Sequence, residues 1–325
     1  MNNLRKHWWA GTGVAFTALV SSFAYMTAIV IPLLGEFVNG FAARPFVYRW
    51  LPVFTLRLLA KIMQTNPTIS FVFPFANWDG ALDFPIAQAI VIQSFLSLLA
   101  FGLAVWFLIR RWSDSWAAVL LAVISPVVVL VLYARSPHPY DLPILALFTL
   151  GLALLAHGRM WAYLMVFVLA CLTKETAIFL TVIYAANMAG SSLQEQPRYR
   201  TVFASDAAWW FFAQLVIYGL ARVALWISFR DWLGGEIEFH LLEQLISFVT
   251  VSGIAFVYAV VGSIVLCMLW VWSSKPLWLR NSAIIVPVFF ALYLLGGVPL
   301  EFRIFGEVFP IAYLLAAWPL VKGVA

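Results

Sequence analysis

Ten apolar runs, separated by short polar breaks and one long one, organise the chain. They cover residues 10–34, 84–109, 115–134, 142–157, 160–173, 176–190, 207–229, 243–272, 282–299 and 308–321. A helix that crosses a bilayer needs about 20 apolar residues in succession. The fourth, fifth and sixth runs are shorter, which predicts helices that are broken, tilted or partly enclosed. Long uninterrupted runs exclude a β-barrel, whose strands alternate apolar and polar positions. The expected fold is therefore all-α: a polytopic transmembrane helical bundle of about ten spans. No internal repeat, low-complexity linker or soluble-domain boundary interrupts it, so residues 1–325 read as one transmembrane domain.

Composition points the same way. Of 325 residues, 64% are hydrophobic and 10% charged, against roughly 45–50% and about 25% in soluble domains. That excludes a soluble globular protein, a disordered chain and a disulfide scaffold. Cys171 and Cys267 both fall inside apolar runs and read as small packing residues. The net charge of +5 would suggest nucleic acid in a soluble protein. Here charge is weighed by side of the membrane instead. Arg5 and Lys6 precede a run too long for a cleaved leader, which predicts an uncleaved first helix with its N-terminus inside. With that orientation the inner breaks hold ten bases and three acids, and the outer breaks eight bases and the other eleven acids. Four of those outer bases lie in one long loop, 35–83, and long loops count for less in setting orientation. Arg222 falls within a run. Polar chemistry is thus expected to concentrate on the outer face. A proton or ion path would instead leave charges in mid-span.

The long outer loop carries most of the candidate chemistry. Residues 52–63 read as an interfacial helix opened by Pro52, with Arg57 and Lys61 four apart on a narrow polar face. Such bases either snorkel from a plain surface helix or stand near a lipid phosphate. Just before it, Arg44 and Arg49 bracket aromatics, and guanidinium groups match phosphate oxygens bidentately. An aromatic belt with ion pairs is the alternative. The loop's acids are Glu36, beside Gly35, and then Asp79 and Asp83; Asp83 can equally cap the following helix.

Four further outer breaks mix acids and bases, one of them holding Arg230, Asp231, Glu236, Glu238 and His240. Arg135–Pro143 contains His138, Tyr140 and Asp141. Asp141 reads as a helix cap, and a lone His138 is weak support for a metal. Lys174-Glu175 sits between two short apolar runs, either as a self-satisfied pair or as a lysine at a phosphate or sugar site. In the last break Arg303 and Glu307 are four apart and read as a local pair, leaving Glu301 free.

This layout resembles the GT-C class of polytopic glycosyltransferases. The likeness is carried by a long first outer loop with acids and an interfacial helix, by Leu172-Thr173-Lys174-Glu175-Thr176, and by the Arg44–Arg49 and Glu301–Pro310 stretches. It covers the span layout of most of the chain, and its motifs are short. The resemblance implies a bacterial inner-membrane enzyme with both termini cytoplasmic and an active periplasmic face. It would move a sugar from a polyprenyl-phosphate carrier to an acceptor glycan, lipid or protein. Carried over, the catalytic carboxylate falls on Glu36, Asp79 or Asp83, where the family's commonest pattern has an early acid pair and this chain has Glu36 alone. The carboxylate would take the proton of the attacking hydroxyl. Arg44, Arg49, Arg57, Lys61, Lys174 and Arg303 would hold the carrier phosphate, with Glu175, His138, Tyr140, Asp141, Glu301 and Glu307 in support. The partners would be the lipid-linked sugar, membrane lipids and the acceptor, with no nucleic acid. No motif calls for a cofactor, and the pattern neither requires nor excludes a divalent metal. A non-enzymatic membrane subunit and a transporter or flippase of a lipid-linked substrate are the competing readings.

Overall fold

The structure is a computed structural model that describes residues 2–28, 49–65, 84–133, 138, 140–189, 197–231, 240–242, 246–247, 254–296 and 302–323. Among these residues the regular structure is helical throughout, with no strand. The helices are α1 (Asn2–Ala28), α2 (Trp50–Thr65), α3 (Phe84–Ile109), α4 (Trp116–Tyr133), α5 (Asp141–Ala156) and α6 (Met160–Thr173). They continue as α7 (Ile178–Ala189), α8 (Pro197–Phe229), α9 (Ile254–Leu269), α10 (Leu277–Ser282), α11 (Ile285–Gly296) and α12 (Phe309–Lys322). Short 3₁₀ turns at Glu175–Ala177 and Phe302–Gly306 open α7 and precede α12. Among the described residues four helical stretches are long and apolar enough to cross a membrane: Pro85–Ile109, Trp116–Tyr133, Ala207–Phe229 and Leu277–Gly296.

Most run boundaries match their helices closely. Three differ. The first helix begins at Asn2, so Arg5 and Lys6 lie within it rather than before it. The seventh begins at Pro197, well before residue 207. The ninth run is divided: Ala283 and Ile284 bond back to Arg280 and Asn281 in a tightened turn, and α11 starts again at Ile285. Pro287 accounts for the break, because it offers no N–H and its ring crowds the carbonyl four residues earlier.

α3 is the hub, touching α1, α2, α4 and α5. Apart from the buried Gln88, Gln93, Ser94 and Ser97 its surface is apolar, as that of a helix enclosed by others should be. Small residues set the close approaches. A Cβ added to Gly102 would stand 2.5 Å from a Val14 methyl, and one added to Gly13 would stand 2.7 Å from a Val123 methyl. Bare backbone at those two points lets α1 lie against both α3 and α4. Hydroxyls and amides add direction: Thr17 Oγ1 donates to Val123 O at 2.7 Å, Thr55 Oγ1 to Gln93 Oε1 at 2.6 Å, and Tyr163 OH to Gln214 Oε1 at 2.6 Å. These tie α1 to α4, α2 to α3 and α6 to α8.

The outer flank is different. In Pro85–Ile109, 61% of the most apolar window is buried, against 11% in Ala207–Phe229. Trp209, Phe212, Leu220, Val223 and Trp226 stand exposed along α8. The two thiols also part company. Cys171 is buried, as a packing residue should be, whereas Cys267 is exposed on α9.

A helix is present where one was expected at 52–63: α2, slightly longer. Leu56, Ala60 and Met63 turn inward. Trp50, Phe54, Leu58 and Ile62 form an exposed apolar stripe, and Arg57 and Lys61 are exposed beside it.

Candidate functional site

Four breaks that are far apart in sequence meet at one end of the bundle. Arg49 comes from the residue before α2, Tyr140 and Asp141 from the start of α5, Lys174 and Glu175 from the α6–α7 junction, and Arg303 and Glu307 from the turn before α12. The junction between α6 and α7 explains why adjacent charges serve different partners. Lys174 is fully extended at φ −160°, ψ 149°, which sends its side chain and that of Glu175 to opposite sides. Lys174 Nζ lies 2.8 Å from Glu307 Oε1, and Glu175 Oε1 lies 3.2 Å from Arg49 Nη2. The self-satisfied Lys174–Glu175 pair is therefore not formed.

The local Arg303–Glu307 pair is not formed either. Residues 302–306 wind as a 3₁₀ turn, in which positions i and i+3 eclipse and i+4 swings off the shared face. Arg303 Nη1 instead donates to the Tyr140 hydroxyl at 3.0 Å and lies 3.7 Å from Asp141 Oδ1. Glu307 Oε1 accepts from Thr176 Oγ1 at 2.6 Å as well as from Lys174. Gly306 fits this turn beneath α4: a methyl there would collide with the Tyr133 hydroxyl.

Asp141 is not the cap of α5. It is the first helical residue, Tyr140 precedes it, and Asp141 Oδ2 reaches back to accept from the His138 N–H at 3.0 Å. His138 also accepts from the Tyr25 hydroxyl through its carbonyl at 2.5 Å. Its role in the fold is as a backbone hub. Among the described residues no three His, Cys, Asp or Glu side chains gather closely enough to hold a metal.

Tyr140 is the centre of the arrangement. The Arg49 guanidinium sits over its ring at 4.0 Å from the centroid, while Arg303 holds its hydroxyl. A guanidinium stacked on a buried ring is oriented without using its hydrogen bonds for the purpose. Burial raises the Tyr140 pKa, with Arg49 and Arg303 opposing, so the phenol stays protonated. Burial also acts to raise the Glu175 pKa, but Arg49 and then Lys174 outweigh it and hold the carboxyl at about 2. Arg222 contributes to that depression as well. It donates to the Cys171 carbonyl near the end of α6.

Burial separates the pairs. Lys174 and Glu307 are 10% and 1% exposed at their side chains, whereas Arg49 and Glu175 are 8% and 42% exposed. Removing two charges from water is costly unless their geometry and remaining hydrogen bonds are good. Glu307 meets this condition at Oε1, while its Oε2 is buried with no hydrogen-bond donor.

Of the phosphate-binding residues expected from sequence, the structure brings together Arg49, Lys174 and Arg303. It leaves Arg57 and Lys61 on the exposed face of α2. Tyr140, Asp141, Glu175 and Glu307 join the cluster as partners of those bases. Glu36, Arg44, Asp79, Asp83 and Glu301 lie outside the described residues. Sequence reasoning missed Thr176, Tyr133 and Tyr25. Their hydroxyls carried no signal, because threonine and tyrosine are ordinary at the ends of apolar runs. No family model, no curated protein and no solved structure matches this chain.

Proposed function

We propose that the chain is a multi-pass membrane protein of about ten spans that moves a sugar from a polyprenyl-phosphate carrier to an acceptor at the outer face of a bacterial inner membrane. The single observation that carries the reading is the convergence of Arg49, Lys174 and Arg303, from three separate breaks, at one end of a bundle with four helices long enough to span. The apolar exposed flank of α8 and the exposed stripe of α2 suit contact with lipid. In this reading α2 lies in the interface, and the carrier phosphate meets Arg49 with Lys174 and Arg303 behind it. Those bases stabilise charge that develops on the departing phosphate. The proton acceptor is one of Glu36, Asp79 and Asp83 in the first outer loop, as the resemblance to GT-C transferases implies. Substrate comes from the membrane side and the acceptor from the aqueous side.

A second reading is favoured by the pairing itself. Each of the three bases has a carboxylate of this chain beside it. A non-enzymatic membrane subunit that uses the network to fix its loops would look the same at these residues.

The lipids that copurify with the protein in mild detergent separate the two. Mass spectrometry of wild type, Arg49→Ala and Lys174→Ala is expected to find polyprenyl phosphate in the wild type and to lose it in both variants. Bulk phospholipid alone in all three samples overturns the carrier site and leaves the subunit reading.

A further inference from the structure

We propose that Glu175 is a displaceable counter-ion, which competes with an anionic phosphate headgroup for the guanidinium of Arg49. The inference rests on reading this cluster as a phosphate site, and concerns how that site admits its ligand.

The three acids of the cluster are held very differently. Glu307 accepts from Lys174 and Thr176 and is buried. Asp141 is set against Arg303 and accepts from the His138 N–H, and it too is buried. Glu175 touches Arg49 through one oxygen and one nitrogen at 3.2 Å, and 42% of its side chain faces outward. It is the acid that solvent, or a ligand arriving from solvent, reaches first.

Its partner is fixed. Arg49 is 8% exposed, and its guanidinium lies on the face of Tyr140, which Arg303 anchors by the hydroxyl. When Glu175 turns away the guanidinium keeps its place, so the cation is already oriented for a phosphate. A phosphate offers it two oxygens where Glu175 offers one, and paired N–H···O contacts are stronger and more directional than a single one. Glu175 opens a short 3₁₀ turn in which the Ala177 N–H reaches Lys174 O only at 3.3 Å, a long bond that loosens when the side chain turns.

The test titrates decyl phosphate and, separately, inorganic phosphate into detergent-solubilised wild type, Glu175→Gln, Arg49→Ala and the double variant. Binding is followed by tryptophan fluorescence. Glu175→Gln is expected to bind decyl phosphate about 2- to 5-fold more tightly, the size of a solvent-reachable ion pair removed as a competitor. Arg49→Ala is expected to lose about tenfold or more, as when a hydrogen bond to a charged group is removed. The double variant is expected to match Arg49→Ala, because there is then nothing to compete for. A gain with decyl phosphate but not inorganic phosphate assigns the site to a lipid headgroup, and a gain with both to phosphate as such. Unchanged or weaker binding in Glu175→Gln, with the loss in Arg49→Ala retained, overturns the displacement and keeps the phosphate site. No binding by any variant overturns both.

Hydrogen exchange on the unmodified protein is a second measure that does not depend on the variants folding. Decyl phosphate is expected to speed exchange in the peptide spanning residues 174–178, and protection there overturns the proposal.

Discussion

The two polar ends of the bundle use the same kinds of side chain in opposite ways. At the end that carries the amino terminus, bases answer to backbone carbonyls. Lys6 Nζ donates to Asp114 O at 2.5 Å, His157 Nε2 to Phe107 O at 2.9 Å, and Lys275 to Trp270 O. α3, α5, α9 and α12 all finish there, and cations are favoured where helix C-termini gather. Among the described residues acids are scarce at this end, and the pair Arg110–Asp114 is loose at 3.8 Å and only partly covered. At the other end the bases of the cluster answer to carboxylates, and its pairs run between breaks up to 162 residues apart: Asp141 with Arg303, Glu307 with Lys174, Glu175 with Arg49. A base beside a carbonyl is replaceable, because its removal strands no charge even where it is buried, as Lys275 is. A base beside a buried carboxylate is not, since removing it leaves a charge that water cannot reach.

That contrast can be broken most severely at Lys174. Lys174→Ala leaves Glu307 buried without its cation and is expected to cost about 3–5 kcal/mol in denaturant unfolding. Replacing the pair together, Lys174→Met with Glu307→Leu, is expected to return most of it. A cost under about 1 kcal/mol would mean that this end behaves as ordinary surface, like the other. Next comes Gly306→Ala. It drives a methyl into the Tyr133 hydroxyl and is expected to cost about 1–3 kcal/mol, part of which Tyr133→Phe in the same background should relieve. An undiminished cost in that background would place the strain elsewhere.

A smaller effect sharpens the comparison through pH. The Glu175 carboxyl is held at about 2, below its ordinary 4.5. An unfolded chain therefore binds the proton more readily, and stability from this group is complete above pH 4.5 and falls as pH drops from there toward 2. Solvent screens so exposed a side chain, which keeps the loss modest. Unfolding midpoints taken from about pH 6 down to pH 3 should fall more steeply in wild type than in Glu175→Gln. Parallel curves would show that Glu175 gains nothing from Arg49. The smallest effect is expected at the opposite end, where Arg110→Ala should change unfolding by about 0.2–1 kcal/mol at most. A larger change would erase the distinction between the two ends.

Much of the fold was legible in the order of apolar runs. Helices α3 to α7 and α12 lie within two or three residues of the runs that predicted them. The grouping of the breaks was legible too, because alternate breaks of a bundle fall at alternate ends. Arg49, Lys174 and Arg303 do meet, as do Tyr140, Asp141, Glu175 and Glu307. What could not be read was who pairs with whom. Local spacing suggested Lys174 with Glu175 and Arg303 with Glu307. The second assumed helical backbone where the chain winds as a 3₁₀ turn, and the first took neighbours in sequence for partners where the extended backbone turns their side chains apart.

The sequence by itself determined that the chain is helical, where most of its helices lie and which breaks share an end. These follow from hydrophobic run length, a one-dimensional quantity tied to local backbone hydrogen bonding. The tertiary structure decided the pairing of charges, the seat of Arg49 on Tyr140 and the difference in burial between Glu307 and Glu175. Those depend on the distances between loops remote in sequence and on how much water each pair keeps. Coulomb energy and desolvation are set by both, and neither is written in the spacing of residues along one chain.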